Sequence, residues 1–181
     1  MSRSTLSLFT LDRPLLDAFS AELRAVLAED AREPFIALLG LGGGFADRAR
    51  AAKHAVDLFL VPETEASHAG IYASLRRVVK KRALTLAWTS PSPALEGRLR
   101  AYEPLREDAE AARRADALLE SSRVPWFLRR PGGTAGWLNR EDCDALREAL
   151  SELEDPPPEI SALAEALGEL SGDVLCHDGL G

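Results

Sequence analysis

The residues best suited to bind a small molecule are four glycines in one short segment: Gly40, Gly42, Gly43 and Gly44. Gly40 lies near the end of an apolar run at residues 35–41, and the other three glycines follow this run. The segment precedes Phe45–Ala55, which is rich in helix-forming Ala and Arg. Glycines between a strand and a helix allow a phosphate or adenosyl group to approach backbone N–H groups at the positive end of the helix. The segment therefore suggests a cofactor-binding loop, although we favour a flexible turn between buried elements.

Glu63 is a second candidate for the same site, because it follows the apolar run Val56–Val61. Nucleotide-binding α/β folds place a ribose-contacting carboxylate at this point. The spacing of the glycines and Glu63 is similar to that of S-adenosylmethionine-dependent methyltransferases, and this resemblance implies a nucleotide or S-adenosylmethionine ligand. The sequence departs from the full Gly-x-Gly-x-x-Gly motif, since Phe45 stands where the third glycine would fall when counting starts at Gly40.

Metal-ligand side chains occur near the end of the sequence. Cys176 and His177, together with Cys143, offer two thiolates and an imidazole, which would suit zinc if the fold brought them together. No Cys-x-x-Cys motif is present, and Cys143 lies on the apolar stripe of a predicted helix. We interpret both cysteines as small, reduced, buried residues and predict no metal and no cofactor.

Other catalytic patterns are incomplete. His54 and His68 are accompanied by neither a Gly-x-Ser-x-Gly nor a His-Glu-x-x-His motif. Glu63 and Glu65 would divide acid and base roles if one were desolvated, but we favour solvated charges before a helix. The sequence therefore assigns no catalytic residue.

The charge distribution is uneven. The formal net charge is −7, which argues against non-specific nucleic-acid binding. Residues 72–100 nevertheless contain seven basic residues against one acid, whereas residues 141–173 contain eleven acids and one arginine. The acidic region includes Glu148 and Glu152, which would hold a basic protein partner, although the same charge also promotes solubility.

Two tryptophans are further candidates for partner binding. Trp126 and Trp137 flank the turn Pro131–Thr134. They would stack across a hairpin or present an exposed aromatic patch, although tryptophans at such positions more often belong to the core.

Helices and strands alternate in the first half of the sequence. Leu6–Leu11 predicts a first strand, and Asp12 caps a helix whose apolar residues recur at three- and four-residue spacing. Three continuous apolar runs predict strands buried on both faces: residues 35–41, 56–61 and 83–89. A helix with a basic face over residues 67–82 precedes the last of these. This alternation favours an α/β, or else α+β, fold with a mixed, largely parallel sheet covered by helices.

The second half predicts a helical stretch, a hairpin and a helical pair. Residues 94–122 are helical, with an interruption near Pro104. Val124–Arg130 and Ala135–Leu138 predict two strands joined as a C-terminal β-hairpin. Asn139 then begins the first of two helices with matching apolar stripes.

The last predicted element is a short strand over residues 172–177, which would add to a sheet edge. The length and the absence of linkers or repeats favour one α/β domain over residues 1–181. No signal peptide or membrane-length apolar segment is visible, which predicts a soluble, cytoplasmic protein.

Two functions remain open. The favoured hypothesis is a non-enzymatic interaction or regulatory domain, in its concrete form an acidic inhibitor of the immunity type that binds a basic protein. The alternative is a small nucleotide- or S-adenosylmethionine-binding α/β enzyme that uses the Gly40–Gly44 loop.

Overall fold

The structure is a computed structural model that describes residues 5–28, 37–38, 69–129 and 133–178. Within these ranges it contains four β-strands, seven α-helices and one short 3-10 helix. In chain order they are β1 (Ser7–Leu11), α1 (Arg13–Ala28), α2 (Ala69–Ala83), β2 (Leu84–Thr89), α3 (Leu95–Ala101), α4 (Glu103–Glu107), α5 (Ala109–Leu119), the 3-10 helix Trp126–Leu128, β3 (Ala135–Leu138), α6 (Arg140–Ser151), α7 (Pro158–Glu169) and β4 (Asp173–His177).

The described strands form one sheet in the order β2-β1-β4-β3, and every neighbouring pair is antiparallel. The prediction of a largely parallel sheet is therefore wrong. Helix-strand alternation indicates a parallel sheet only when each connection returns the chain to the same end of the sheet. Residues 12–83 separate β1 from β2, and a connection of that length is compatible with either strand direction.

The described residues fall into two compact units. The sheet unit takes the described residues within Met1–Asp12, Leu84–Pro125 and Gly132–Gly181, and the helical unit takes those within Arg13–Ala83 and Trp126–Pro131. The organisation of the chain as one domain stays a prediction.

The core of the sheet unit lies between one face of the sheet and its helices. Leu8, Val174 and Cys176 point to this face and belong to one hydrophobic cluster with side chains of α3, α5, α6 and α7. Phe9 and Leu175, the intervening residues in register, point to the opposite face and are also fully buried. Each fully buried Leu or Phe contributes about 1.5–3 kcal/mol to stability.

The predicted helical pair is confirmed. The side-chain oxygen of Asn139 accepts a hydrogen bond of 2.8 Å from the backbone N–H of Asp142 and caps α6 at its start. Pro158 occupies the first turn of α7, where the missing N–H of proline costs no helical hydrogen bond. In the apolar stripes Leu146 and Leu163 are fully buried and Leu153 is partly buried, and the two helices pack against each other.

The predicted C-terminal hairpin is wrong. Trp126–Leu128 forms a 3-10 helix rather than a strand, and Pro125 just before it lacks the N–H that a strand ladder needs. The β3 strand pairs with β4 instead, and the same contact places β4 in the interior of the sheet between β1 and β3. The expectation that the last strand lies at a sheet edge is therefore also wrong.

The described part of the helical unit contains α1, α2 and the 3-10 helix. The rings of Phe19 and Phe127 meet edge to face with centroids 5.6 Å apart. Arg82 lies 5.6 Å above the Phe19 ring and donates a 2.9 Å hydrogen bond to Glu22. These contacts join α1 to both other elements and confirm the helix predicted after Asp12.

The strands predicted at 35–41 and 56–61 fall mainly outside the described residues. Ala37 and Leu38, which are described, are helical, so the strand prediction is wrong at these two positions. Residues 56–61 lie wholly outside the described part of the chain.

Candidate functional site

The glycine segment and Glu63 lie outside the described residues, so the cofactor-binding alternative stays a prediction. The structure places Trp126 at the start of the 3-10 helix and does not describe its side chain. Trp137 is described fully: it is 7% exposed in β3, and its indole N–H donates a 3.2 Å hydrogen bond to Asp173 Oδ2. These are the surroundings of a core residue, not of an exposed aromatic patch.

Glu148 and Glu152 lie on the outer surface of α6. Together with Glu141 they form a line of exposed carboxylates, which we call the acidic stripe. Residues separated by seven and four positions lie on one side of an α-helix, so the three side chains stack along α6. With a rise of 1.5 Å per residue, the stripe is about 16 Å long.

The acidic stripe differs from the other carboxylates of α6. Asp142 Oδ1 is 3.1 Å from Arg114 Nε, and Asp144 forms an ion pair with Arg140. Among the residues that the structure describes, Glu141, Glu148 and Glu152 form no ion pair. Their carboxylates are therefore exposed to solvent without an ion-pair partner in the described part of the chain.

The last turn of α6 places acidic charge where it is electrostatically unfavourable. Carboxylates stabilise the start of a helix and destabilise its end, because the last carbonyl groups carry partial negative charge. Glu148 and Glu152 lie at this end, four residues apart, and repel each other as well. The last turn contains no basic residue to offset them. Local arrangements that oppose stability are expected where function requires them.

A surface groove lies between α6 and α7, next to the acidic stripe. It has a volume of about 380 Å³. Leu150, Leu153, Pro156 and Ala164 supply apolar lining, and Arg147 and Glu165 lie among the polar lining residues. Its volume is at the low end of the ~300–1,000 Å³ typical of ligand pockets, which suits single anchor side chains better than a large ligand.

Gly168 has no side chain, and this leaves room for the side chain of Arg147 in the groove. A β-carbon at this position would lie 3.3 Å from Arg147 Cδ, so a larger residue would displace the arginine side chain. Glu148 and Glu152 each follow a groove residue in the sequence, Arg147 and Ser151. The stripe therefore lies about 100° around the helix from these two residues, whereas Leu150, which also lines the groove, lies on the opposite side of α6.

The cysteines and His177 do not form a metal site. Cys143 and Cys176 lie in the same hydrophobic cluster, whereas His177 follows Cys176 in the strand and points to the opposite face of the sheet. No metal-binding group of His, Cys, Asp or Glu occurs among the residues that the structure describes. Burial raises the pKa of Cys143 to about 12 and also raises the pKa of Cys176, so both thiols stay protonated at neutral pH.

One polar cluster was not anticipated from the sequence. It lies at the end of the sheet where β1 and β3 begin, with Ser7 directly opposite His177 in the register. The Thr134 hydroxyl donates a 2.9 Å hydrogen bond to Glu96, and Ser7 and Thr89 share one of 3.1 Å. No sequence signal joins these distant residues. Ser7 and His177 are each 1% exposed, whereas Thr89 is exposed and Glu96 is partly exposed.

The chain matches no protein-family model, no curated protein sequence and no solved structure. None of the described helices has the length and apolar character needed to cross a membrane.

Proposed function

We propose that this protein is a non-enzymatic interaction domain that binds a basic protein partner through the acidic stripe and the adjacent groove. The proposal rests chiefly on one observation: Glu148 and Glu152 are exposed and form no ion pair with a described residue, at the helix end where their charge costs stability. An inhibitor of the immunity type, which blocks a basic protein by covering its cationic surface, is the concrete form of this function.

The chemistry of the surface defines the partner. Lysine or arginine residues spaced four apart on a helix match the four-residue spacing of Glu148 and Glu152. An apolar side chain beside them would enter the groove over Leu153 and Pro156, the partly exposed part of its apolar lining. The expected partner segment is therefore an amphipathic basic helix, in which charge gives fast association and the apolar anchor slows dissociation.

The test uses a synthetic helical peptide of Lys and Leu, about 14 residues long, as the probe. Calorimetric titration should show binding that weakens at least ~10-fold between about 20 mM and about 300 mM salt, because exposed charges are screened. The variant Glu148→Lys with Glu152→Lys should lose most of this affinity.

A matched control separates a specific surface from bulk charge. Glu103 and Glu107 are exposed on α4, and Glu103→Lys with Glu107→Lys changes the net charge by the same amount. This control should bind the peptide as the original protein does. Equal loss of affinity in the two double variants would show that only net charge matters and would overturn the proposal.

A further inference from the structure

The α2 helix carries exposed basic residues in the same arrangement as the acidic residues of α6. Arg77 and Lys81 lie four positions apart and are exposed, while Leu75 and Val79 are fully buried. The side chains of Arg77 and Lys81 therefore lie one above the other on the outer side of the helix. We call these two residues the basic pair.

The basic pair matches Glu148 and Glu152 in spacing and is opposite in charge. On any α-helix, residues four apart have β-carbons about 6 Å apart, so two helices laid side by side bring both opposite charges together at once. Among the described residues, none forms an ion pair with either pair. Within each pair the like charges repel. Contact between the two surfaces would relieve both repulsions.

We propose that the acidic stripe and groove of one copy of this protein bind the basic pair of a second copy. The inference rests on the proposed function, because it assigns to that docking surface a second ligand, the protein itself. Self-association would then compete with a basic partner for the same surface and would regulate how much of the surface is free.

The contact joins two different surfaces, so it is heterologous: each copy offers one acidic and one basic surface. Basic and acidic residues are also separated along the sequence. Residues 72–100 contain seven basic residues and one acid, and residues 141–173 contain eleven acids and one arginine. The net charge of −7 opposes association between copies. Association is therefore expected to be weak, to depend on protein concentration and to be lost as salt rises.

Sedimentation velocity over a range of protein concentrations tests the inference through a charge swap. In about 20 mM salt the original protein should associate, and in about 300 mM salt it should be monomeric. Arg77→Glu with Lys81→Glu should abolish association, as should Glu148→Lys with Glu152→Lys. Circular dichroism verifies that each variant is folded.

Mixing distinguishes a specific contact from a general charge effect. The variant Arg77→Glu with Lys81→Glu and the variant Glu148→Lys with Glu152→Lys are each expected to be monomeric alone. They should associate when mixed, because each then meets a surface of opposite charge. One chain that carries all four substitutions should also recover self-association. The control Arg24→Glu with Arg98→Glu replaces two exposed arginines elsewhere and should leave association unchanged. A monomeric original protein in low salt, or variants that stay monomeric when mixed, would overturn the inference.

The two proposals can fail separately. The variant Arg77→Glu with Lys81→Glu retains the acidic stripe, so it should still bind the Lys and Leu peptide. Peptide binding without self-association would remove only the inference made here. Self-association without peptide binding would instead remove the proposed function as a receptor for other basic proteins.

Discussion

The backbone carbonyl of Leu118 occupies the space beside Gly136 where any other residue would have its β-carbon. A β-carbon built on Gly136 would lie 1.7 Å from that carbonyl oxygen. The end of α5 therefore packs directly against the backbone of β3, and the hydrogen bond of 3.2 Å from Ser121 N–H to the Ala135 carbonyl continues this contact. Only glycine permits so close an approach of helix to strand.

Gly136→Ala should strongly destabilise the sheet unit, because backbone atoms must move to admit the new methyl group. We expect a loss of about 3 kcal/mol or more in the free energy of unfolding, at the upper end for overpacking. Urea denaturation measures it. The control Gly97→Ala lies in α3, where a β-carbon meets nothing within 4 Å, and should increase stability by about 0.5–1 kcal/mol. A tolerated alanine at 136 would contradict the close packing.

Charge reversal should change stability in opposite directions at the two ends of α6. Glu148→Lys should raise the free energy of unfolding by about 0.5–1 kcal/mol, since a cation favours the end of a helix. Glu141→Lys should lower it by a similar amount, because Glu141 lies in the first turn. Both variants should weaken peptide binding. Thermal unfolding and titration of the same samples would show whether affinity and stability separate in this way.

The buried thiols should make stability fall at alkaline pH. In the unfolded chain a cysteine ionises near pH ~8.5, whereas burial raises the pKa of Cys143 to about 12 in the folded protein. Unfolding therefore releases protons between these values, and stability is full below the unfolded pKa and decreases as pH rises above it. Urea denaturation at about pH 8 and about pH 10 should show a smaller decrease for Cys143→Ala than for the original protein.

The same burial predicts slow thiol chemistry. An aromatic disulfide reagent should label neither Cys143 nor Cys176 in the native protein and both after denaturation, because the reacting species is the thiolate. Rapid labelling of either cysteine in the native state would be inconsistent with the core position of that residue.

The hydrogen bond between Trp137 and Asp173 should couple β3 to β4. A double-mutant cycle with Trp137→Phe and Asp173→Ala should give a coupling energy of about 1–2 kcal/mol, since the acceptor is a carboxylate. Urea denaturation of the four proteins provides the measurement. Fully additive effects would mean that the bond contributes nothing to stability.

Local features of the chain were predictable and long-range pairing was not. The start of α6 at Asn139 and the break between α6 and α7 follow from a capping side chain and prolines, which act within a few residues. Strand partners are chosen over the whole chain, so nothing near Ala135 could show that β3 pairs with β4 rather than with residues 124–130. The prediction of parallel strands was wrong for the same reason.

The candidate site was predictable to a similar extent. Helical spacing alone places Glu148 and Glu152 on one side of a helix and opposite its apolar stripe, so their exposure could be anticipated. The groove required the packing of α6 against α7, and the role of Trp137 required its neighbour Asp173 in the next strand. Neither contact leaves a signal in the sequence near these residues.

The pairing of Leu8 with Cys176 brings together segments from opposite ends of the sequence, in the two central strands of the sheet. Of the strands that the structure describes, only β1 and β2 can pair before β4 is synthesised, and a two-stranded ribbon is marginally stable in water by itself. The four-stranded sheet is complete only after β4 has been synthesised and has inserted between β1 and β3. A ribosome that stalls before residue 173 would therefore hold a nascent chain with an open strand edge, and such edges recruit chaperones or aggregate.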